Sequence, residues 1–500
     1  KRIPAFAEAG IKKVVNGPIT HTPDGGLMVG PAPGLRNFWL CTGASIGITQ
    51  GPGAGKYLAQ WMTTGQPEYT GWPIDPRRFG PFAPGQYAVD KARDEYHHMY
   101  ATPFPHEQRM PGRPVRTSTT YPRLAAKGAQ FEEAFGLERA QWFSPDRQPE
   151  ILGFRRTNAH AAVGAECQAV ASAAGVMDVS AFTKFEVAGG DAAAFLDRLT
   201  ANRLPAAGGG VRLVHMLTDQ GGIEVEATLT RLESNSFYFL SASVARLHDH
   251  DWLTSHLRPG EDVRIADLTE EVGVLTLNGP RSRDILSKLT GAPLTAPDFR
   301  WMTARQIEVA GVPARALRVS YVGELGWELH APLDRLVEIY DALFEAGAVH
   351  GLVDFGSYAM DSMRMEKAYK AWGSELTTEL TMYESAMGPF VDFDKDFIGR
   401  RATLERRDDP RWSTVYLQVD ADDAEPLGAD SVYSGGTHVG MITSAAFGHR
   451  VGRSLAFAVV RPSFSVVGTE LEVNIVGRLR PARVLAGDAV YDPGAERIRA

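Results

Sequence analysis

The sequence predicts a multi-domain α+β chain, and three observations carry that prediction. Its 500 residues exceed the size at which one hydrophobic core keeps growing, so roughly three domains are expected. A weak internal repeat runs through the middle: residues 185–200, FEVAGGDAAAFLDRLT, align with residues 275–290, LTLNGPRSRDILSKLT, at an offset of 90, keeping Gly189/Gly279, Leu196/Leu286, Leu199/Leu289 and Thr200/Thr290. From residue 411 to 500 strand-like runs (STVYLQV, SLAFAVV, TELEVNIV, RPARVLA) alternate with glycine-containing punctuation, which predicts a small antiparallel β-barrel domain.

Composition narrows the partners. No apolar run approaches the ~20 residues of a bilayer-spanning helix, so no membrane span is expected. A net charge of −8, from 52 Lys+Arg against 60 Asp+Glu, has the wrong sign for a polyanion binder, so nucleic acid is not an expected partner. The two cysteines, Cys41 and Cys167, are too far apart for a disulfide framework or a clustered metal site; a reducing compartment fits, and no metal is predicted. The opening KRIPAFAEAGIKKVV is too short in apolar length for a signal peptide and begins without Met, as a fragment or a processed chain would.

Taken in order, residues 1–65 contain an apolar strand at 38–41, a glycine-rich loop and a helix ending near Gly65. That geometry suits an anion cradle or close helix–strand packing. It fails as a P-loop, because Gln50 stands where glycine is needed and Tyr57 where Ser/Thr is needed, and no G-x-G-x-x-G occurs in the chain. Residues 66–150, rich in Pro, Arg, His and aromatics, read as a bridging segment with one helix at 87–100. His97 and His98 point about 100° apart on a helix and do not form an i, i+4 metal pair.

Residues 151–410 then form two related α+β halves. Each copy of the repeat is strand, glycine turn, helix, and FLSASVARL from Phe239 matches ELHAPLDRL from Glu328 at offset 89, each a strand running into a helix. The second of these helices has Leu333, Leu336, Val337, Tyr340, Leu343 and Phe344 on one face, with Gly347 as its stop. In the first half, turn residues 218–222 separate two strands. In the second strand Ile223, Val225, Ala227 and Leu229 take one face, and Glu224, Glu226, Thr228 and Thr230 the other, for which a solvated face is the default. Ligands often bind between such halves.

Several stretches resemble one family. YVGELGWELHAP (residues 321–332), FGSYAMDSMRMEKAYKAWGSEL (355–376), DFIGRRATL and GMITSAAFGHRVGRSLAFAVVRP are similar to the dimethylglycine/sarcosine dehydrogenase branch of the glycine-cleavage aminomethyltransferase fold. Residues 17–61 resemble the closing piece of that branch's flavin domain, and PIDPRRFGPF its bridging segment, so the resemblance spans essentially the whole chain. It implies a C-terminal tail of an FAD-dependent oxidoreductase domain, then an aminomethyltransferase-like folate-binding fold, then the barrel.

The activity it implies is FAD- and tetrahydrofolate-dependent oxidative demethylation of a small N-methyl amine. This chain would carry the folate half, which captures the one-carbon unit as 5,10-methylenetetrahydrofolate. FAD would be held mainly by an N-terminal flavin half, or an equivalent flavin subunit, outside these residues, since the dinucleotide fingerprint is missing. The alternatives are a flavin-independent transferase and a non-catalytic folate-binding module. Bacterial cytoplasm and mitochondrial matrix both fit.

The resemblance assigns Tyr321 and Glu328 to the folate pterin, and a carboxylate does suit the paired N–H donors of an aminopterin. It brings Val225, Ala227, Leu329 and His330 in as folate neighbours. Glu226 falls where aminomethyltransferases carry an aspartate, one methylene shorter, proposed to move the folate amine proton. Arg364 would face the glutamyl carboxylate and Trp372 would stack; otherwise Arg364 pairs with Glu366 or Asp361 and Trp372 is core. Gly43, Ala44, Ser45, Ile46, Gly47, Ile48 and Thr49 correspond to a loop near the flavin ring. Glu324, in the glycine turn, is expected to hold that turn, through backbone hydrogen bonds or with an arginine.

Overall fold

A computed structural model describes residues 3–500. The N-terminal part pairs strands Met28–Pro31 and Trp39–Thr42, followed by helix Gly47–Thr64. Gly65, at φ 83°, closes that helix by donating its N–H to Trp61 O. The glycine-rich stretch is largely helix rather than loop: Gly47, Ile48 and Thr49 form its first turn, and only residues 43–46 connect strand to helix. Among the described residues no helix is long and apolar enough to cross a membrane.

The bridging segment holds the expected helix at Gln86–His98, but its later part is structured differently from the expectation. A short helix, Tyr121–Ala126, and a hairpin of Ala129–Ala134 with Leu137–Phe143 drive Trp142, 1% exposed, into the core beside Val163, Met177 and Phe355. Residues 121–143, inside the 66–150 segment expected to bridge, thus take part in the core packing. Its mixed polar and aromatic composition hid a strand pair whose burial comes from elements distant in sequence.

Two antiparallel-rich sheets follow. The first runs, in spatial order, 264–267, 183–188, 236–241, 223–233, 211–217; the second runs 304–309, 312–317, 326–332, 272–278, 174–178, 352–354. The repeat is visible in the pairing, since 183–188 lies against 236–241 as 272–278 lies against 326–332. The halves are also interlocked. Strand Ala174–Asp178, which precedes the first repeat unit, pairs in the second sheet with 272–278, whereas Arg264–Asp267, which precedes the second unit, pairs in the first sheet with 183–188. Neither sheet is complete without a strand from the other half's stretch of chain.

The repeated glycines are fixed by this crossing. Gly189 (φ 140°) and Gly279 (φ 121°) have positive φ, and a Cβ would meet Asp262 O at 2.1 Å in the first and Ala173 O at 2.6 Å in the second. Helix Ala192–Leu199 packs Phe195, Leu196 and Leu199 under the first sheet. Helix Leu336–Gly347 packs Leu336, Ile339, Tyr340 and Leu343 under the second. Each such fully buried side chain contributes about 1.5–3 kcal/mol. The α-helix ends at Gly347, as expected, but without a left-handed cap there: Gly347 keeps a helical φ of −85° and lets Leu352 approach, a Cβ there meeting Leu352 Cβ at 2.6 Å, and Gly351 (φ 70°) makes the left-handed turn after a short 3-10 extension. The last unit is a closed barrel ordered 413–419, 453–460, 437–448, 431–434, 470–475, 478–484.

Candidate active site

Glu226 lies on strand Ile223–Glu233, where Val225 and Ala227 face the core at 1% and 2% exposure and Glu224 and Glu226 take the other face. The side chains of Val225 and Ala227 thus point away from Glu226. Strand alternation leaves only their backbone on the site side, so as folate neighbours they would offer backbone atoms alone. Leu329 is core-facing in the same way, at 0% exposure.

The carboxyl group of Glu226 is not solvated as an outer strand face would be. Burial, reinforced by Glu375, pushes its pKa up to about 8, against the backbone N–H of Trp372, Arg364 and Lys370, which favour the anion. A β-bulge between Met216 and Leu217 shifts the hairpin register so that His215 lies directly across from Glu226, with His215 Nε2 3.9 Å from Glu226 Oε1.

In the second half, Tyr321 and Glu328 border a cleft of about 370 Å³ with Phe182, Thr276, Asn278 and Met360. Glu328 has 15% of its side chain exposed, and one of its oxygens lies 3.3 Å from His330 Nε2. His330 Nδ1 lies 3.0 Å from the hydroxyl of Tyr238, contributed by the first sheet. Tyr321 donates its hydroxyl to Lys370 O at 2.8 Å and stacks on Tyr369. His330 therefore supports Glu328 from behind rather than lining the cleft.

Glu324, fully buried, accepts from Arg450 (3.0 Å), Tyr491 (2.8 Å) and Arg497 (2.7 Å), which ties the glycine turn to the barrel unit and the C-terminal tail. Arg364 is 5% exposed, donates to Asp361 Oδ1 at 2.9 Å and lies 3.6 Å from Glu375, while Glu366 is taken by Arg450.

A second cleft, about 440 Å³, opens between the bridging segment and the first half, among Trp61, Trp72, Glu224, His248 and Trp372. Trp372 packs edge-on against Trp72 and donates its indole N–H to Glu224 O at 2.9 Å. His248 bridges Glu224 (2.8 Å) and Asp249 (2.9 Å); burial and Arg77 press its pKa down, yet the two carboxylates lift it to about 9. Gly43, Ala44, Ser45, Ile46, Gly47, Ile48 and Thr49 border neither cleft; Trp61, further along their helix, does.

Sequence reasoning missed His215, Glu375, Lys370, Trp72 and His248. Glu375 and Lys370 lie within the MRMEKAYKAWGSEL stretch, which was the available signal; for His215 none existed short of the bulge.

A folate head group brings paired N–H donors, and the residues fit it. Among the described residues one oxygen of Glu328, which faces the cleft, has no hydrogen-bond partner, and neither does Asn278 Oδ1, buried in the cleft wall.

Interlocked α+β halves followed by a six-stranded barrel define the fold class of the glycine-cleavage aminomethyltransferases. The crystal structure of aminomethyltransferase T of the glycine cleavage system from Bartonella henselae matches with a TM-score of 0.64 at 22% identity, covering 74% of this chain and 97% of that one. The chain belongs to the GCVT family: the GCVT N-terminal domain matches residues 120–395 and the glycine cleavage T-protein C-terminal barrel domain residues 413–492. Residues 64–118 match the FAD dependent oxidoreductase central domain.

Among curated relatives, mitochondrial dimethylglycine dehydrogenase of Homo sapiens is 37% identical over 505 residues, covering 99% of this chain and 58% of the relative. Mitochondrial sarcosine dehydrogenase of Mus musculus is 30% identical over 550 residues, covering 100% and 60%. The chain thus spans about three fifths of the length of these relatives.

Proposed function

We propose that this chain is the folate half of a demethylating oxidoreductase that oxidises a small N-methyl amine of the dimethylglycine or sarcosine type and captures the released carbon on tetrahydrofolate. The observation that carries the reading is the pair of unlike carboxylates on look-alike halves. Glu328 is set in a cleft wall to accept paired N–H donors, and Glu226, with 16% of its side chain exposed, is desolvated enough that its proton comes and goes close to neutral pH.

In this reading Glu328 anchors the pterin, Tyr321 borders it, and Glu226 accepts the proton from the folate nitrogen as that nitrogen attacks the one-carbon unit. Arg364, Lys370 and Trp372 N–H limit how far burial raises the pKa of Glu226, so enough carboxylate remains to act as base. FAD, held by a flavin half joined to this chain or carried on a separate subunit, would supply the oxidation of the amine. The mitochondrial dimethylglycine dehydrogenase and a bacterial relative, 4-methylaminobutanoate oxidase of Paenarthrobacter nicotinovorans, support a mitochondrial or bacterial setting; matrix and cytoplasm are part of this proposal.

The test is direct. Full-length protein purified with its flavin half should show flavin absorbance, bind tetrahydrofolate, and form methylene-folate from dimethylglycine or sarcosine. A colourless preparation that still makes methylene-folate would favour the flavin-independent transferase. Normal folate binding by Glu328→Ala would overturn the site assignment.

A further inference from the structure

We propose that His215 is a positioning residue for Glu226: a buried, permanently neutral imidazole whose Nε2–H waits for the carboxylate once Glu226 gives up its proton. This rests on the reading of Glu226 as the proton acceptor.

Three facts fix the imidazole. Asn202 Oδ1 accepts the backbone N–H of His215 at 2.6 Å, which orients the amide. Asn202 Nδ2 then donates to Phe390 O at 2.9 Å and faces His215 Nδ1 at 3.4 Å. Nδ1 is thereby an acceptor, so the neutral ring carries its proton on Nε2. That Nε2 is buried with no partner among the described residues, and the polar group before it is Glu226 Oε1, 3.9 Å away.

A gap of 3.9 Å is not a hydrogen bond, but rotation of the glutamate side chain closes it. The extra methylene of Glu over Asp provides that rotation. Complete burial presses the imidazole pKa down to about 3, so the donor does not titrate in the range where Glu226 does. The other groups facing Glu226 are Glu375, Arg364, Lys370, the Tyr321 hydroxyl and the Trp372 N–H. Of these Glu375 opposes ionisation, and His215 offsets it from the opposite strand. His215 transfers no proton. The proton passes from the folate nitrogen to Glu226, and His215 acts only before the transfer, by stabilising and orienting the carboxylate that accepts it.

The test is an infrared titration of the Glu226 carboxyl band in the full chain without folate, the band being assigned by its loss in Glu226→Gln. His215→Phe should raise the midpoint by about one pH unit, and His215→Gln, which returns an N–H, should bring it back toward the wild-type value. A well-folded His215→Phe with an unmoved midpoint, or a His215→Gln displaced as far as His215→Phe, overturns the proposal. If His215→Phe does not fold, wild-type protein with 15N-labelled histidine decides. The His215 Nε2–H resonance should move with Glu226 ionisation and stay fixed in Glu226→Gln; a resonance indifferent to pH in the wild type overturns it. Tetrahydrofolate affinity, measured separately, keeps the two readings apart: a shifted midpoint in a chain that binds no folate spares His215 and sinks the folate assignment.

Discussion

The two halves each set a buried histidine beside a carboxylate, yet they finish the arrangement differently. In the second half His330 and Glu328 share one strand face, two residues apart, with the contact close at 3.3 Å and backed by Tyr238 from the other sheet. In the first half His215 and Glu226 face each other across a hairpin, with the contact open at 3.9 Å and backed by Asn202 from the same half. A braced carboxylate suits a ligand anchor that must hold its geometry. One left short of its donor, with its pKa raised to about 8, suits a group that exchanges a proton. The two arrangements lie on strands that do not correspond in the two sheets, so the contrast comes from local bracing and not from the repeat.

The comparison breaks most visibly at Glu226. Glu226→Gln is expected to lower the rate of methylene-folate formation by roughly 10²–10⁴-fold while tetrahydrofolate affinity holds; equal losses in rate and affinity would erase the distinction. Arg450→Met should destabilise the fold by about 3–5 kcal/mol in urea melts, because it strands the buried carboxylates Glu324 and Glu366. A small effect there would mean the turn under Glu328 is held by something else.

Glu328→Gln should weaken tetrahydrofolate by roughly 30–100-fold in a binding titration and leave the saturated rate nearly intact. Tyr238→Phe, which removes only the brace behind His330, should cost about 3–10-fold in the same titration.

Stability against pH sharpens the contrast further. The Glu226 carboxyl titrates at about 8 folded and near 4.5 when exposed, so between these values the folded chain keeps a proton that the unfolded chain releases. Its contribution to stability is present below 4.5 and is lost as pH rises through 8. Glu226→Gln should therefore melt above the wild type near pH 9, by about 1 kcal/mol or more, and match it near pH 4. Identical melting at both pH values would show that the carboxyl is not charged in a buried setting.

Much of the architecture was legible along the chain. The matched glycines Gly189 and Gly279, the two strand-into-helix passages and the strand-like tail announced paired halves and a barrel, because each is set by local backbone demands. Glu324 was legible as a turn-holder, but its partners Arg450, Tyr491 and Arg497 come from more than a hundred residues away. The helix Gly47–Thr64 was misjudged at its start because glycine and Pro52 discourage helix locally, and the packing of Trp61 against Trp39 and the bridge overrides them.

By itself the sequence determined the alternation that turns Glu226 and Glu328 out of the core, since side-chain period along a strand is a property of the chain alone. Only the tertiary structure decided what those carboxylates meet. The strand exchange that interlocks the sheets is a long-range pairing. A hairpin without its bulge would have set Val214, not His215, opposite Glu226, because a one-residue slip exchanges the faces of a strand.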